Sequence, residues 1–268
     1  MSVVVGAVAV ALTPTLVAVI VAVSLVAGAV NGLAGFGFAV VGTMALASVL
    51  DPAAAVVFMI VPILAVNLSL VGDLSTDQVR TCGRRFAPLL GAALAGTVAG
   101  MVVLDRLPAA PLKTGLGLVT LAFVASVQQL VPIPGLASAK ERCFVESPLG
   151  MIGVGGASGV LFGGTNVGVQ LIAYLRSCNL SHGLFVGVVA MVFLGLNAVR
   201  VVAAWLLGLY PSATVAGASL AAAVPAVAGV AVGKRLRASV NERQQRGVVM
   251  LLLTVVGVRL LLGGLGIA

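Results

Sequence analysis

The sequence predicts an all-α polytopic membrane protein of two related halves, read as inverted repeats, with broken or re-entrant helices at glycine-rich motifs. Three observations carry this prediction. Hydrophobic residues make up 61% of the 268 positions and charged residues 8%, at a mean hydropathy of +1.24, too much apolar surface for a soluble core to hide. Several stretches reach the roughly 20 residues a helix needs to cross hydrocarbon, while the alternating segments of a membrane barrel are absent. Finally, NGLAGFGF at Asn31–Phe38 returns in altered form as SGVLFGGT at Ser158–Thr165, each copy placing glycine where a membrane helix would otherwise continue.

In chain order, the apolar runs predict first-half segments over roughly 13–34, 37–49, 53–72, 86–104 and 111–131. The second half gives roughly 148–161, 164–176, 183–208, 213–233 and 247–266. Segments 37–49, 148–161 and 164–176 are too short to cross alone and read as half-helices meeting near the bilayer centre. The halves are 1–131 and 148–268, joined by a cytoplasmic linker, 132–147, rich in proline, glycine and charge. MSVVVGAVAV has neither a basic region nor a small-residue cleavage site, so no removable signal peptide is expected.

One offset superimposes Gly28 on Gly155, Gly32 on Gly159 and Gly37 on Gly164. A slightly longer one pairs Leu50 with Leu180 and Asn67 with Asn197, and a third pairs Pro88 with Pro225, Gly96 with Gly233 and Asp105 with Glu242. If each glycine break turns the chain back, every half has an odd number of segments and the halves insert in opposite senses. Lys and Arg accumulate on the cytoplasmic side of membrane proteins. The inverted arrangement then puts Arg80, Arg84, Arg85, Lys140, Arg142, Arg176, Lys234, Arg235, Arg237, Arg243 and Arg246 inside, leaving only Arg106 and Lys113 outside. It also places both termini outside.

Backbone groups freed in hydrocarbon cost several kcal/mol each unless they line a protein-enclosed site. Helix starts after Gly37 and Gly164 would present N–H groups and positive dipole ends, which suit an anion. The substrate-binding candidates are the break glycines Gly35, Gly37, Gly163 and Gly164, and the nearby polar residues Asn31, Thr165, Asn166 and Gln170. Asn197 and Arg200 join them from one face of a later helix. Thr165 and Asn166 also fit ordinary helix caps. Arg200 either faces a cavity or snorkels to a headgroup region; Arg259 is expected to snorkel. Gly96xxxGly100 and Gly229xxxGly233 read as helix-packing contacts, and Asp51–Pro52 and Ser181–His182 as helix starts.

Absences narrow the function. No Asp or Glu lies in the middle of a span and the sole histidine is His182, which argues against a carboxylate relay, an intramembrane aspartyl protease and a histidine metal centre. Cys82, Cys143 and Cys178 lack metal-ligand spacing and are expected to be reduced thiols. No GxxxxGK[ST] motif occurs, so ATP hydrolysis is not expected. The net charge of +8 reflects cytoplasmic loops rather than nucleic-acid binding. No cofactor or metal is expected, nor catalysis.

The motifs AGFGF at Ala34–Phe38, FGGTNVG at Phe162–Gly168, YLRS at Tyr174–Ser177 and FLGLNAVR at Phe193–Arg200, with the stretches from Pro88 to Gly96 and Pro225 to Gly233, resemble the TauE/SafE family of sulfite exporters. The resemblance covers nearly the whole chain. The chain departs from the family pattern at Thr165 and Asn166, where proline is frequent, and at Phe38, which replaces a glycine. The resemblance implies a multi-pass cell-membrane transporter of sulfite or an organosulfonate; alternating access at the repeat interface is the expected mechanism. The expected partners are a small anion and the lipid bilayer, with oligomeric state left open. A small-anion channel and a non-transporting membrane scaffold are the alternatives.

Overall fold

The computed structural model describes residues 13–72, 74–104, 147–166, 182–210, 212–236 and 242–266, with isolated positions between 108 and 125, between 168 and 178, and at 239. Among the described residues the chain forms ten helices and no strand. Helix α1, Pro14–Ala34, starts under a Thr13 cap whose side chain accepts from the Leu16 N–H at 3.2 Å. It ends at Gly35, whose φ of 78° returns its N–H to the Asn31 carbonyl at 2.7 Å. Gly37, at φ 109°, then launches the short helix α2, Phe38–Ala47. Both positions lie where a Cβ would be strained, so this break requires glycine.

Helices α3, Pro52–Phe58, and α4, Ile60–Val71, form one apolar span interrupted at Met59. Asp51 caps α3 by accepting from the Ala53 and Ala54 N–H groups, as expected for a helix start. Pro62 explains the interruption. It has no N–H to give the Phe58 carbonyl one turn earlier, and that carbonyl accepts from the Ser219 hydroxyl instead.

Helix α5, Thr76–Arg85, opens with a reciprocal Ser75–Gln78 capping box and bends by 75° into α6, Ala87–Leu104. Ser147 caps α7, Pro148–Thr165, accepting from the Gly150 N–H at 3.0 Å. Helices α8, His182–Leu206, α9, Ala213–Leu236, and α10, Glu242–Gly264, complete the chain. Among the described residues, four spans are long and apolar enough to cross a membrane, or five if bent α5–α6 counts as one. Val17 and Val21 of α1, Val202 and Trp205 of α8, and Leu220 and Val224 of α9 are exposed, giving the apolar outer surface a bilayer would cover.

One boundary differs from expectation. The sequence places a break between 161 and 164, but α7 runs through Gly163 and Gly164 and stops at Asn166. A glycine inside a helix costs only about 1 kcal/mol against alanine, and Gly163 earns its place by close packing: a Cβ there would sit 2.2 Å from the Thr97 carbonyl oxygen. The linker 132–147 lies outside the described residues except at Ser147. Most of segment 111–131 and positions 167, 169, 170, 173 and 176 of segment 164–176 also fall outside them.

Two glycine-lined seams hold the helices together. Along the first, α1 lies on α9: added Cβ atoms at Gly28 and Gly32 would meet the carbonyl oxygens of Ala226 and Val230 at 2.2 and 2.3 Å. Along the second, α7 lies on α6, and Cβ atoms at Gly155 and Gly159 would meet the Leu89 and Ala93 carbonyl oxygens at 2.4 and 2.2 Å. The same sequence offsets that align Gly28 with Gly155 and Pro88 with Pro225 map each of these contacts onto its counterpart. They also map Gly233 against Ala29 onto Gly96 against Gly156. These seams are backbone-to-backbone, the close approach that small residues permit in membranes.

Between the seams, α4 packs against α8, and α2 is enclosed, with eight of its ten residues buried.

Candidate functional site

Arg200 is fully buried on α8, so the snorkelling alternative does not hold; Arg259 on α10 is exposed. Its guanidinium is held by neutral oxygens. Nη1 donates to Asn166 Oδ1 and, at 3.3 Å, to Asn197 Oδ1, while Nη2 donates to the Gly163 carbonyl at 3.2 Å. The Phe162 ring covers one face, its centroid 4.9 Å from Cζ. A guanidinium has five N–H donors, and three are used here. Nε has no partner, and Nη2 has a second proton left over. Nε and Nη2 are adjacent donors on one edge of the guanidinium, the spacing that matches two oxygens of one oxyanion.

The local sequence explains why these groups meet. Asn197 lies one turn before Arg200 on α8; its own Nδ2 donates back to the Phe193 carbonyl at 2.8 Å, which fixes the amide with Oδ1 toward Arg200. Asn67 on α4 makes the same bond to the Ile63 carbonyl, also at 2.8 Å. Asn166 ends α7 in the left-handed conformation, φ 60°, a region asparagine tolerates better than most residues. That turn swings its side chain inward. Nδ2 donates to Thr43 Oγ1 on α2 at 2.8 Å and to the Val56 carbonyl on α3 at 3.0 Å.

Electrostatically the cluster is uncompensated, because among the described residues no carboxylate pairs with Arg200. Burying a cation among neutral acceptors costs several kcal/mol. An anion beside Nε would offset that cost, whereas a purely structural role would be met more cheaply by an apolar residue.

Of the sequence candidates, the structure brings Gly163, Asn166, Asn197 and Arg200 together. Asn31, Gly35 and Gly37 form the separate α1–α2 turn. There Asn31 Oδ1 accepts from the Phe38 N–H at 3.1 Å, so its oxygen caps α2. Gly164 lies buried beside the cluster in α7, and Thr165 Oγ1 donates back to the Leu161 carbonyl. Gln170 lies outside the described residues. Sequence reasoning missed Thr43, the Val56 carbonyl and Phe162. Thr43, a hydroxyl inside a short apolar helix, was the readable signal.

Neither the curated proteins nor the solved structures contain a match to this chain. A family model described as sulfite exporter TauE/SafE matches residues 20–260. With nearly its whole length matched and its apolar helices in keeping with a membrane protein, this chain belongs to the TauE/SafE sulfite exporter family.

Proposed function

We propose that the chain carries a small oxyanion, sulfite or an organosulfonate, across the cell membrane by alternating access between its two halves, with Arg200 as the binding cation. The observation that carries this reading is a fully buried guanidinium without a carboxylate partner among the described residues, whose Nε has no hydrogen-bond partner. Two charge-assisted hydrogen bonds supply about 3–6 kcal/mol, the scale of millimolar binding, which suits a carrier that must release its substrate.

The matched seams support inverted repeats as the moving parts: each half contributes one helix to each seam, and equivalent residues make equivalent contacts. Asn31, Gly35 and Gly37 would then shape the second wall of the pathway, and Thr165 and Gln170 would lie along its other side. Arg80, Arg84, Arg85, Lys234 and Arg235 would face the cytoplasm. A negative interior drives a monoanion outward by about 2.3 kcal/mol per 100 mV, so export needs no carboxylate relay.

The test is sulfite efflux from proteoliposomes with Arg200→Ala and Gly164→Leu. The first removes the cation. The second adds a branched side chain where an added Cβ would itself lie 3.4 Å from the Gly100 carbonyl oxygen, beside Asn166. Efflux should fall at least about a hundredfold in Arg200→Ala, the equivalent of two lost charged bonds. Unaltered efflux in both variants refutes the assignment of the site.

A further inference from the structure

Resting on that reading of Arg200, we propose that Asn166 is the positioning residue of the site: its neutral amide keeps the guanidinium charge available to the substrate and ties the site to α2 and to the break between α3 and α4. Each polar atom of the Asn166 side chain is committed. Oδ1 accepts from Arg200 on α8, and the Nδ2 protons go to Thr43 on α2 and to the Val56 carbonyl, a few residues before the interruption at Met59. Its backbone N–H closes α7 on the Phe162 carbonyl at 2.9 Å, and Phe162 is the ring under Arg200. One residue therefore joins the ends or breaks of α7, α3 and the buried α2 to the cation.

The chemistry of an amide at this place is specific. A carboxylate of the same shape would accept from Nη1 equally well, but it would neutralise the guanidinium and turn an anion-attracting site into a closed ion pair. Asn166 fixes Nη1 while adding no charge. Together with Asn197 and Gly163 it holds the two terminal nitrogens and leaves Nε without a partner. Because its two amide protons hold α2 and α3, a substrate that draws the guanidinium toward itself pulls on Oδ1. That pull reaches two further helices, α2 and α3.

The decisive measurement is radiolabelled sulfite binding and efflux by the full chain carrying Asn166→Asp, beside Arg200→Ala and wild type. Asparagine and aspartate are close in size and both tolerate the left-handed backbone. Asn166→Asp should weaken sulfite binding at least about tenfold although Arg200 is still present, because the site's net charge is cancelled. Wild-type affinity in Asn166→Asp together with loss in Arg200→Ala overturns this inference and leaves the transport reading standing. Wild-type affinity in both overturns the two together.

If Asn166→Asp does not fold, Asn166→Gly and Thr43→Val decide the matter. Glycine keeps the backbone turn and removes the amide; valine keeps most of the Thr43 volume and removes the oxygen that accepts from Nδ2. Both should raise KM by about three- to tenfold with a smaller change in efflux at saturating sulfite, since each loosens one hydrogen bond that aims the cation. An unchanged KM in both refutes the positioning role. A uniform fall in efflux at unchanged KM refutes it equally, because that is what a merely structural residue produces.

Discussion

Replacing one glycine in each seam tests the fold at its tightest point. An added methyl at Gly32 would place Cβ 2.3 Å from the Val230 carbonyl oxygen, 2.8 Å from the Lys234 nitrogen and 2.9 Å from the Gly233 Cα. The equivalent methyl at Gly159 would lie 2.2 Å from the Ala93 carbonyl oxygen and 2.9 Å from its Cα. Ordinary contact distances begin about 1 Å further out, and the obstructing atoms are backbone, which no rotamer change can move. The helices must separate, and overpacking of this kind costs about 1–3 kcal/mol. Alanine gains about 1 kcal/mol over glycine in helix propensity, so each raw effect is partly masked. Gly153, exposed on α7 with open space around its Cβ position, removes that ambiguity. Gly153→Ala carries the propensity gain alone, and the difference between it and Gly32→Ala or Gly159→Ala isolates the seam at about 1–3 kcal/mol. The assay is thermal or SDS-induced unfolding of purified protein in detergent. Because the two seams make equivalent contacts, the two substitutions should destabilise to within about 0.5 kcal/mol of each other. If all three variants match in stability, or if only one seam responds, the equivalence drawn from the carbonyl contacts is wrong.

Other expectations follow from single contacts. Asn31→Ala removes the cap on the Phe38 N–H and should destabilise by about 1 kcal/mol in the same unfolding assay. Ser219→Ala leaves the Phe58 carbonyl without its donor and should cost about 1–3 kcal/mol. In a Pro62→Ala background, where residue 62 regains an N–H for that carbonyl, the same Ser219→Ala change should cost clearly less; equal costs in the two backgrounds exclude the proposed compensation. Arg200→Lys keeps the charge but loses the planar fork, so sulfite efflux should fall by about tenfold or more, and efflux equal to wild type would exclude recognition by two parallel donors.

Much of the architecture could be read before any coordinates, because a membrane helix announces itself by length and composition. α1, α6 and α9 begin within a few residues of their expected starts. The seams were legible as small-residue spacings, since only glycine lets backbones approach within contact of carbonyl oxygens. What sequence could not separate was a glycine that breaks a helix from one that packs it. Gly35 and Gly37 break, with positive φ; Gly163 and Gly164 pack, and the break passes to Asn166. The signal for a break at Asn166 was the tolerance of asparagine for the left-handed region. α5 read as a charged connection, although Ser75 three residues before Gln78 is a capping-box spacing. In the site, Arg200 and Asn197 were found from their position inside an apolar helix. Thr43 and the Val56 carbonyl were not, since their role exists only once α2 and α3 are folded against the end of α7.

The exchange of partners between halves has a consequence for how the molecule is made. The glycine faces of α1 are filled by α9 and those of α6 by α7, so an amino-terminal half just released into the bilayer carries two unfilled glycine grooves. It must wait there for the rest of the chain. Assembly is therefore a late event governed by the carboxy-terminal half, and two fragments divided in the 132–147 linker and synthesised together should still find one another.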